Sequence, residues 1–186
     1  SITNINYELL KKIQKEYLDK TDLFNFKEKF FTDKAPLNFR WIGIIKLIFP
    51  NSKIIHCRRD PMDVCFSNYK NTFSSKSISF CYNLNKLGNY YKLYTNLMTF
   101  WKKIFNDEIY ELSYEKLINN QEDETKKLIN YCGLGWDDSC LSPHKNKKLV
   151  TTASLAQVRS PIYKSSIKKW ENYSENLKDL KNLLNN

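Results

Sequence analysis

The densest concentration of chemistry-bearing residues is the run Ile54-Ile55-His56-Cys57-Arg58-Arg59-Asp60-Pro61-Met62-Asp63-Val64-Cys65-Phe66-Ser67. An apolar stretch gives way to two arginines and then to an aspartate-proline pair. Asp60 suits the cap of a helix, Pro61 its first position, and Asp63 puts a carboxylate two residues further in. Arg59 is then held where a strand ends and a helix begins, beside amide N–H groups and a dipole that attract anions. Ser67 follows Asp63 by one helical turn, so its hydroxyl can lie on the same side as the arginine. A guanidinium fork with a hydroxyl suits a phosphate monoester. The same residues also admit a plain structural reading, in which Arg58 and Arg59 only pair with Asp60 and Asp63.

These residues need elements to hold them. Apolar residues at helical spacing (Ile5, Leu9, Leu10, Ile13, Tyr17) predict an amphipathic helix over Ile5 to Lys20. Lys29 to Thr32 is a short aromatic strand candidate, followed by the turn Asp33-Lys34-Ala35-Pro36. Asn38 can cap a helix to about Phe49, which Pro50-Asn51 ends. Ser52 to Cys57 predicts a buried strand, and Asp60-Pro61 opens a helix to about Asn71. The polar stretch Thr72 to Ser79 reads as a loop. Asn83 to Phe105 is the clearest helix, with Leu84, Leu87, Tyr91, Tyr94, Met98 and Trp101 on one face, where aromatic side chains are core rather than a stacking platform. Ile109 to Ser113 is a third strand candidate, with a helical turn from Tyr114-Glu115. Gln121 to Tyr131 is helical and stops at Gly133. Ser142 to Lys164 reads as extended loop, and Ser166 to Leu184 as helix with a break near Tyr173-Ser174. Strands alternating with helices imply an α/β fold with a parallel sheet, whose ligands bind at the carboxyl ends of the strands. Asp33-Lys34, Arg58 to Pro61 and Tyr114-Glu115 all fall at such ends.

Composition narrows the rest. The 186 residues fit one domain, and 41% hydrophobic with 27% charged residues is globular composition. The longest apolar run, Trp41 to Phe49, is interrupted by Lys46 and far too short to span a bilayer, and nothing suggests export, so a soluble, cytoplasmic protein without membrane contact is expected. A net charge of +10 implies an anionic partner or a solubility device. Nucleic acid qualifies, but the basic residues are spread as lysines over helix faces rather than gathered into an arm. Five cysteines (Cys57, Cys65, Cys81, Cys132, Cys140) without CxxC spacing favour free thiols over a disulfide framework or zinc site. His56 reads as a core histidine and His144 as a surface one, with no ligand set for a metal.

The Arg59, Asp63, Ser67 spacing resembles the 3′-phosphate-binding motif of sulfotransferases that use 3′-phosphoadenosine 5′-phosphosulfate (PAPS). The likeness runs from about Phe31 to Trp170. It is nearest to bacterial sulfotransferases often fused to helical repeats, and next to protein-tyrosine sulfotransferases. It is carried further by Thr32 to Phe39, Phe49-Pro50-Asn51, Leu112 to Leu117, Tyr131-Cys132-Gly133-Leu134-Gly135-Trp136, Thr152 to Tyr163 and Lys169-Trp170. The resemblance implies that Arg59 and Ser67 bind the 3′-phosphate and that Tyr114 contacts the nucleotide. It implies that Ser154, Leu155, Ala156, Gln157, Val158 and Arg159 wrap the nucleotide and that Lys169 adds a cation near the phosphates. Lys34 and Ser154 would be catalytic, stabilising the migrating sulfuryl group. The implied co-substrate is PAPS, with adenosine 3′,5′-bisphosphate as product and no metal; the acceptor is a hydroxyl or amine of unknown identity.

The resemblance also implies a P-loop NTPase-like parallel sheet flanked by helices. The family's Gly-x-Pro-[Arg/Lys]-Ser-Gly-Thr-Thr-like phosphosulfate turn after the first strand has no counterpart here, since the first glycine is Gly43, and no catalytic base is assignable. An N-terminally incomplete domain is therefore expected, lacking that first strand and loop, with turnover impaired. It would either reorder its sheet or fill the gap with another chain, and self-association is left open. Within one domain over 1–186, residues 1–28 read as a helical segment, 29–170 as the family-matching core and 171–186 as a terminal helix. The alternatives are a basic nucleic-acid-binding module and a non-catalytic remnant or interaction domain.

Overall fold

A computed structural model describes residues 6–22, 30–73, 76–146, 159–162 and 167–185. Its helices are α1 (Tyr7–Asp22), α2 (Ile42–Ile48), α3 (Pro61–Lys70), α4 (Leu84–Phe105), α5 (Tyr114–Asn119), α6 (Gln121–Tyr131) and α7 (Lys178–Asn185). Among the described residues the sheet has two strands, β1 (Ile54–Arg58) and β2 (Ile109–Ser113), paired in parallel. The register sets Ile54 opposite Ile109, His56 opposite Glu111 and Arg58 opposite Ser113. This is the expected α/β arrangement, a parallel sheet flanked by helices. β1 and β2 bond to each other directly.

Side chains alternate across the pleat. Ile54 and Ile109 face a core formed with Ile42, Met98, Phe39, Tyr94, Trp101 and Phe105, so α2 and α4 cover that side. On the other face Tyr110 packs its ring 5.0 Å from that of Tyr131 in α6. A second core gathers Met62 and Cys65 of α3, Cys81, Leu87 of α4, and Leu177 and Leu180 around α7. Full burial of such side chains contributes roughly 1.5–3 kcal/mol each. Gly88 lets α7 close on α4, because a Cβ there would sit 2.5 Å from Leu183.

Local signals explain most boundaries. The Asp60 carboxylate accepts from Asp63 N–H at 2.9 Å and Pro61 follows, which starts α3. Asn83 starts α4 in the same way through Lys86 N–H. α6 ends at Gly133, whose φ of 69° lets Leu134 N–H reach the Ile129 carbonyl and Gly133 N–H reach that of Asn130. All five cysteines are free.

Four expectations are corrected. Phe30 to Thr32 is not a strand; Phe31 stacks on Tyr17 of α1 instead, and its segment joins no ladder. The helix expected from Asn38 begins as a 3-10 segment, Pro36–Trp41, entered from Ala35 because Pro36 supplies the helical φ. Part of the Thr72–Ser79 loop lies in the 3-10 segment Lys76–Tyr82. The final helix breaks at Tyr173-Ser174 as expected, but its first part, Lys169–Tyr173, is a 3-10 segment and α7 resumes only at Lys178.

Candidate functional site

Both strands end at the same corner, and polar ties run across it. Arg59 is the first residue beyond β1, and its guanidinium carbon lies 4.9 Å from the centre of the Tyr114 ring at the start of α5. The backbone beneath is fixed as well: Asp60 N–H donates to Glu115 Oε1 at 2.7 Å, and Ser113 Oγ donates to Glu115 Oε2 at 3.1 Å. One carboxylate thus joins the carboxyl ends of β1 and β2.

Asp63 makes the longest connection. Its side chain is 1% exposed, and its Oδ2 lies 3.6 Å from Arg59 Nη2. The same oxygen accepts from the backbone N–H of Lys168 at 2.9 Å, across 105 positions of sequence. Lys168 has a φ of 57°, the left-handed conformation that a non-glycine residue adopts at a cost. The buried carboxylate therefore orients the arginine and also fastens the turn that carries Lys169. A charge buried this deeply is stable only when paired and hydrogen-bonded; Arg59 supplies the opposite charge and the Lys168 N–H the hydrogen bond.

The structure brings Arg59 and Tyr114 into contact and fastens the residue before Lys169 to their neighbour Asp63. Ser67 is half-buried on α3, one turn past Asp63 on the same face, and its carbonyl accepts from Asn71 Nδ2. Lys34 is exposed in the segment between α1 and α2, next to Asp33, whose carboxylate accepts from the Tyr17 hydroxyl at 2.8 Å. Arg159 is exposed. Ser154, Leu155, Ala156, Gln157 and Val158 lie outside the described residues. Glu115 and Lys168 are the positions that sequence reasoning did not assign. Glu115 had a signal, a carboxylate two residues past a strand-ending serine; Lys168 had none.

Arg58 belongs to a different structure. It points to the α4 side, where it pairs with Glu111 of β2, which also takes Lys102 of α4. Beside them His56 Nε2 is hydrogen-bonded to the Tyr94 hydroxyl. Burial, with Lys102 and Arg58 adding to it, lowers the His56 pKa from 6.5 to about 4. An imidazole kept neutral and turned into the packing is no base for the Arg59 corner. The structural reading of the two arginines is thus half right: Arg59 does pair with Asp63, but Arg58 goes to Glu111.

The arrangement puts a guanidinium stacked on a phenol ring at the carboxyl ends of parallel strands, beside the amino end of a ten-residue helix. Asp60, Asp63 and Glu115 are each engaged by N–H donors, so the acids near the arginine are committed to the fold. Positive charge at the corner can then act on an anion. A concavity of about 530 Å³ lies at the other end of α3, between Tyr69, Tyr82, Asn83, Asp179 and Leu183.

The sequence profile of a sulfotransferase family matches residues 5–138, which takes in both strands, Arg59, Asp63 and Tyr114. An uncharacterized protein of Aquifex aeolicus (strain VF5) is 37% identical over 179 residues, covering 95% of this chain and 24% of its own length. The chain thus spans about a quarter of that relative. With both strands, the first six helices and the strand-end arginine inside the matched span, the chain belongs to the sulfotransferase family.

Proposed function

We propose that the Arg59 corner holds the 3′-phosphate of adenosine 3′,5′-bisphosphate or PAPS, in a domain that moves a sulfuryl group to a hydroxyl or amine acceptor. The observation that carries this reading is the fastening of Arg59: stacked on Tyr114, paired with a buried Asp63, and set at the end of β1. A guanidinium held in one orientation loses little freedom when it binds a phosphate, which is what two-pronged recognition requires. Ser67 adds a hydroxyl donor from α3, Tyr114 a flat surface toward the nucleoside, and Lys169 a second cation. Ser154 to Arg159 complete the nucleotide's enclosure.

Sulfuryl transfer resembles phosphoryl transfer in needing alignment and neutralised oxygens more than covalent participation. Lys34 and Ser154 take that part, each donating to an oxygen of the migrating group. No divalent metal is invoked. The 186 residues contain no glycine-rich phosphosulfate turn, so the 5′ side of the nucleotide has fewer donors than the 3′ side. Nucleotide binding by these residues is accordingly weakened and turnover negligible.

Titration calorimetry with adenosine 3′,5′-bisphosphate and with adenosine 5′-phosphate tests the reading. The bisphosphate should bind more tightly, and Arg59→Ala should erase the preference. Equal affinities for the two nucleotides in the unaltered protein refute a 3′-phosphate site. Binding to nucleic acid that falls steeply with salt and ignores Arg59→Ala would support the basic nucleic-acid module instead.

A further inference from the structure

Helix α4 is apolar around more of its circumference than the fold covers. Its core stripe, Leu87, Tyr94, Met98 and Phe105, packs inward against both cores or their rims. A second stripe, Leu93, Leu97, Phe100 and Ile104, recurs at i, i+4, i+7 and i+11 and lies about 110° further round the helix. Leu93 is 67%, Phe100 50% and Ile104 53% exposed. The stripe runs about 16 Å at 1.5 Å per residue. A helix apolar on two sides is normally covered on two sides.

The neighbouring surface continues it. Gly43 lets α2 approach α4 so closely that a Cβ would lie 2.8 Å from the Trp101 ring. Between the two helices runs a trough of about 210 Å³ bounded by Gly43, Leu47, Pro50 and Phe105 and by the ion pair of Lys46 with Glu108. Leu47 in its wall is exposed, as is Trp41 just before α2. A ridge fits a trough between helices, whereas a bilayer surface is served by a single convex face.

Charge selects the occupant. α4 carries Lys86, Lys92 and Lys103 besides the Lys102 that pairs with Glu111, and no Asp or Glu, and Arg40 stacks over Trp41. A second copy would bring this cationic rim against itself, in a chain of net charge +10. We propose that the stripe and trough dock an amphipathic helix whose apolar ridge is flanked by acidic residues. Leucine-type side chains would fill the trough, and Asp or Glu would meet the lysine rim. This surface is separate from the Arg59 corner, and its test does not depend on nucleotide binding.

The probe is a fluorescein-labelled model peptide of about 18 residues, with leucine at i, i+3, i+4 and i+7 spacing and glutamate at the flanking positions. Its twin carries lysine in place of glutamate. Fluorescence anisotropy should show the acidic peptide binding the 186-residue chain, more weakly as salt rises, and the lysine twin failing to bind. Leu93→Glu and Phe100→Glu, each made alone, should weaken binding at least about tenfold. Both side chains are exposed, so circular dichroism melts should match the unaltered protein. Equal binding to the charge-reversed twin, or to both variants, overturns the proposal, as does no binding at all. A dimer seen by sedimentation and dissolved by Phe100→Glu would assign the face to a second copy. Attachment to phosphatidylserine vesicles that Phe100→Glu abolishes would assign it to a lipid surface.

Discussion

The two ends of the β1–β2 pair are tied by polar groups in opposite ways. At the amino end the Tyr131 hydroxyl reaches the carbonyls of Glu108 (2.6 Å) and Ile54 (3.4 Å). Lys46, with a side chain 7% exposed, pairs with Glu108 and donates to the carbonyls of Pro50 and Ser52. Those donors spend themselves on backbone oxygens of the same corner. At the carboxyl end the acids take up backbone N–H groups, and a cation is set over a phenol ring. Donors that point inward hold a fold together; acids that absorb inward donors leave positive charge to face a ligand.

The largest expected effect sharpens that contrast. Arg59→Ala should lower affinity for adenosine 3′,5′-bisphosphate by about 100-fold, as loss of charge-assisted hydrogen bonds to a phosphate implies. Thermal stability should fall as well, because the 1% exposed Asp63 carboxylate loses one of its two partners, and calorimetry beside a melting curve reads both effects. Asp63→Ala should break the comparison from the other side, costing about 2–3 kcal/mol in urea unfolding because it strands the Lys168 N–H and removes the partner of Arg59. Asp63→Asn keeps an acceptor for that N–H and should recover part of the loss. Tyr131→Phe belongs to the amino end and should cost about 1 kcal/mol with nucleotide affinity untouched.

A separate effect is a pH slope. The His56 pKa is lowered to about 4 in the folded chain against 6.5 ordinarily, so the unfolded chain takes up its proton first as pH falls. Its contribution is complete above pH 6.5 and disappears as pH drops toward 4. His56→Phe should flatten the melting temperature over that window.

Where the determinants are local, the sequence was readable. Asp60-Pro61 and Asn83 announced their helices through side chains that cap within three residues, and Gly133 announced an ending through its backbone freedom. β1 and β2 were visible because short apolar runs sit between helices. Phe30 to Thr32 misled because its aromatic residues fit a helix-facing stack as well as a ladder, and only a partner strand decides between them. The corner was half legible. Arg59 and Tyr114 follow from the rule that ligands gather at strand ends. The bond from Asp63 to Lys168 spans 105 residues and has no periodicity to betray it. Ser67 was placed by its helical spacing from Asp63 and the catalytic part of Lys34 by resemblance, and the cross-chain bonds described at the corner do not run through their side chains.

The direct pairing of β1 with β2 has a kinetic consequence. Everything from α3 through α4 lies between the two strands, so no ladder bond can form until that excursion has folded back on itself. The contacts of Met62 and Cys65 on α3 with Leu87 on α4 are then the early assembly, and the ladder and the docking of Leu180 are its late products. Truncations in that core, such as Leu87→Ala, slow refolding, whereas weakened strand contacts chiefly hasten unfolding.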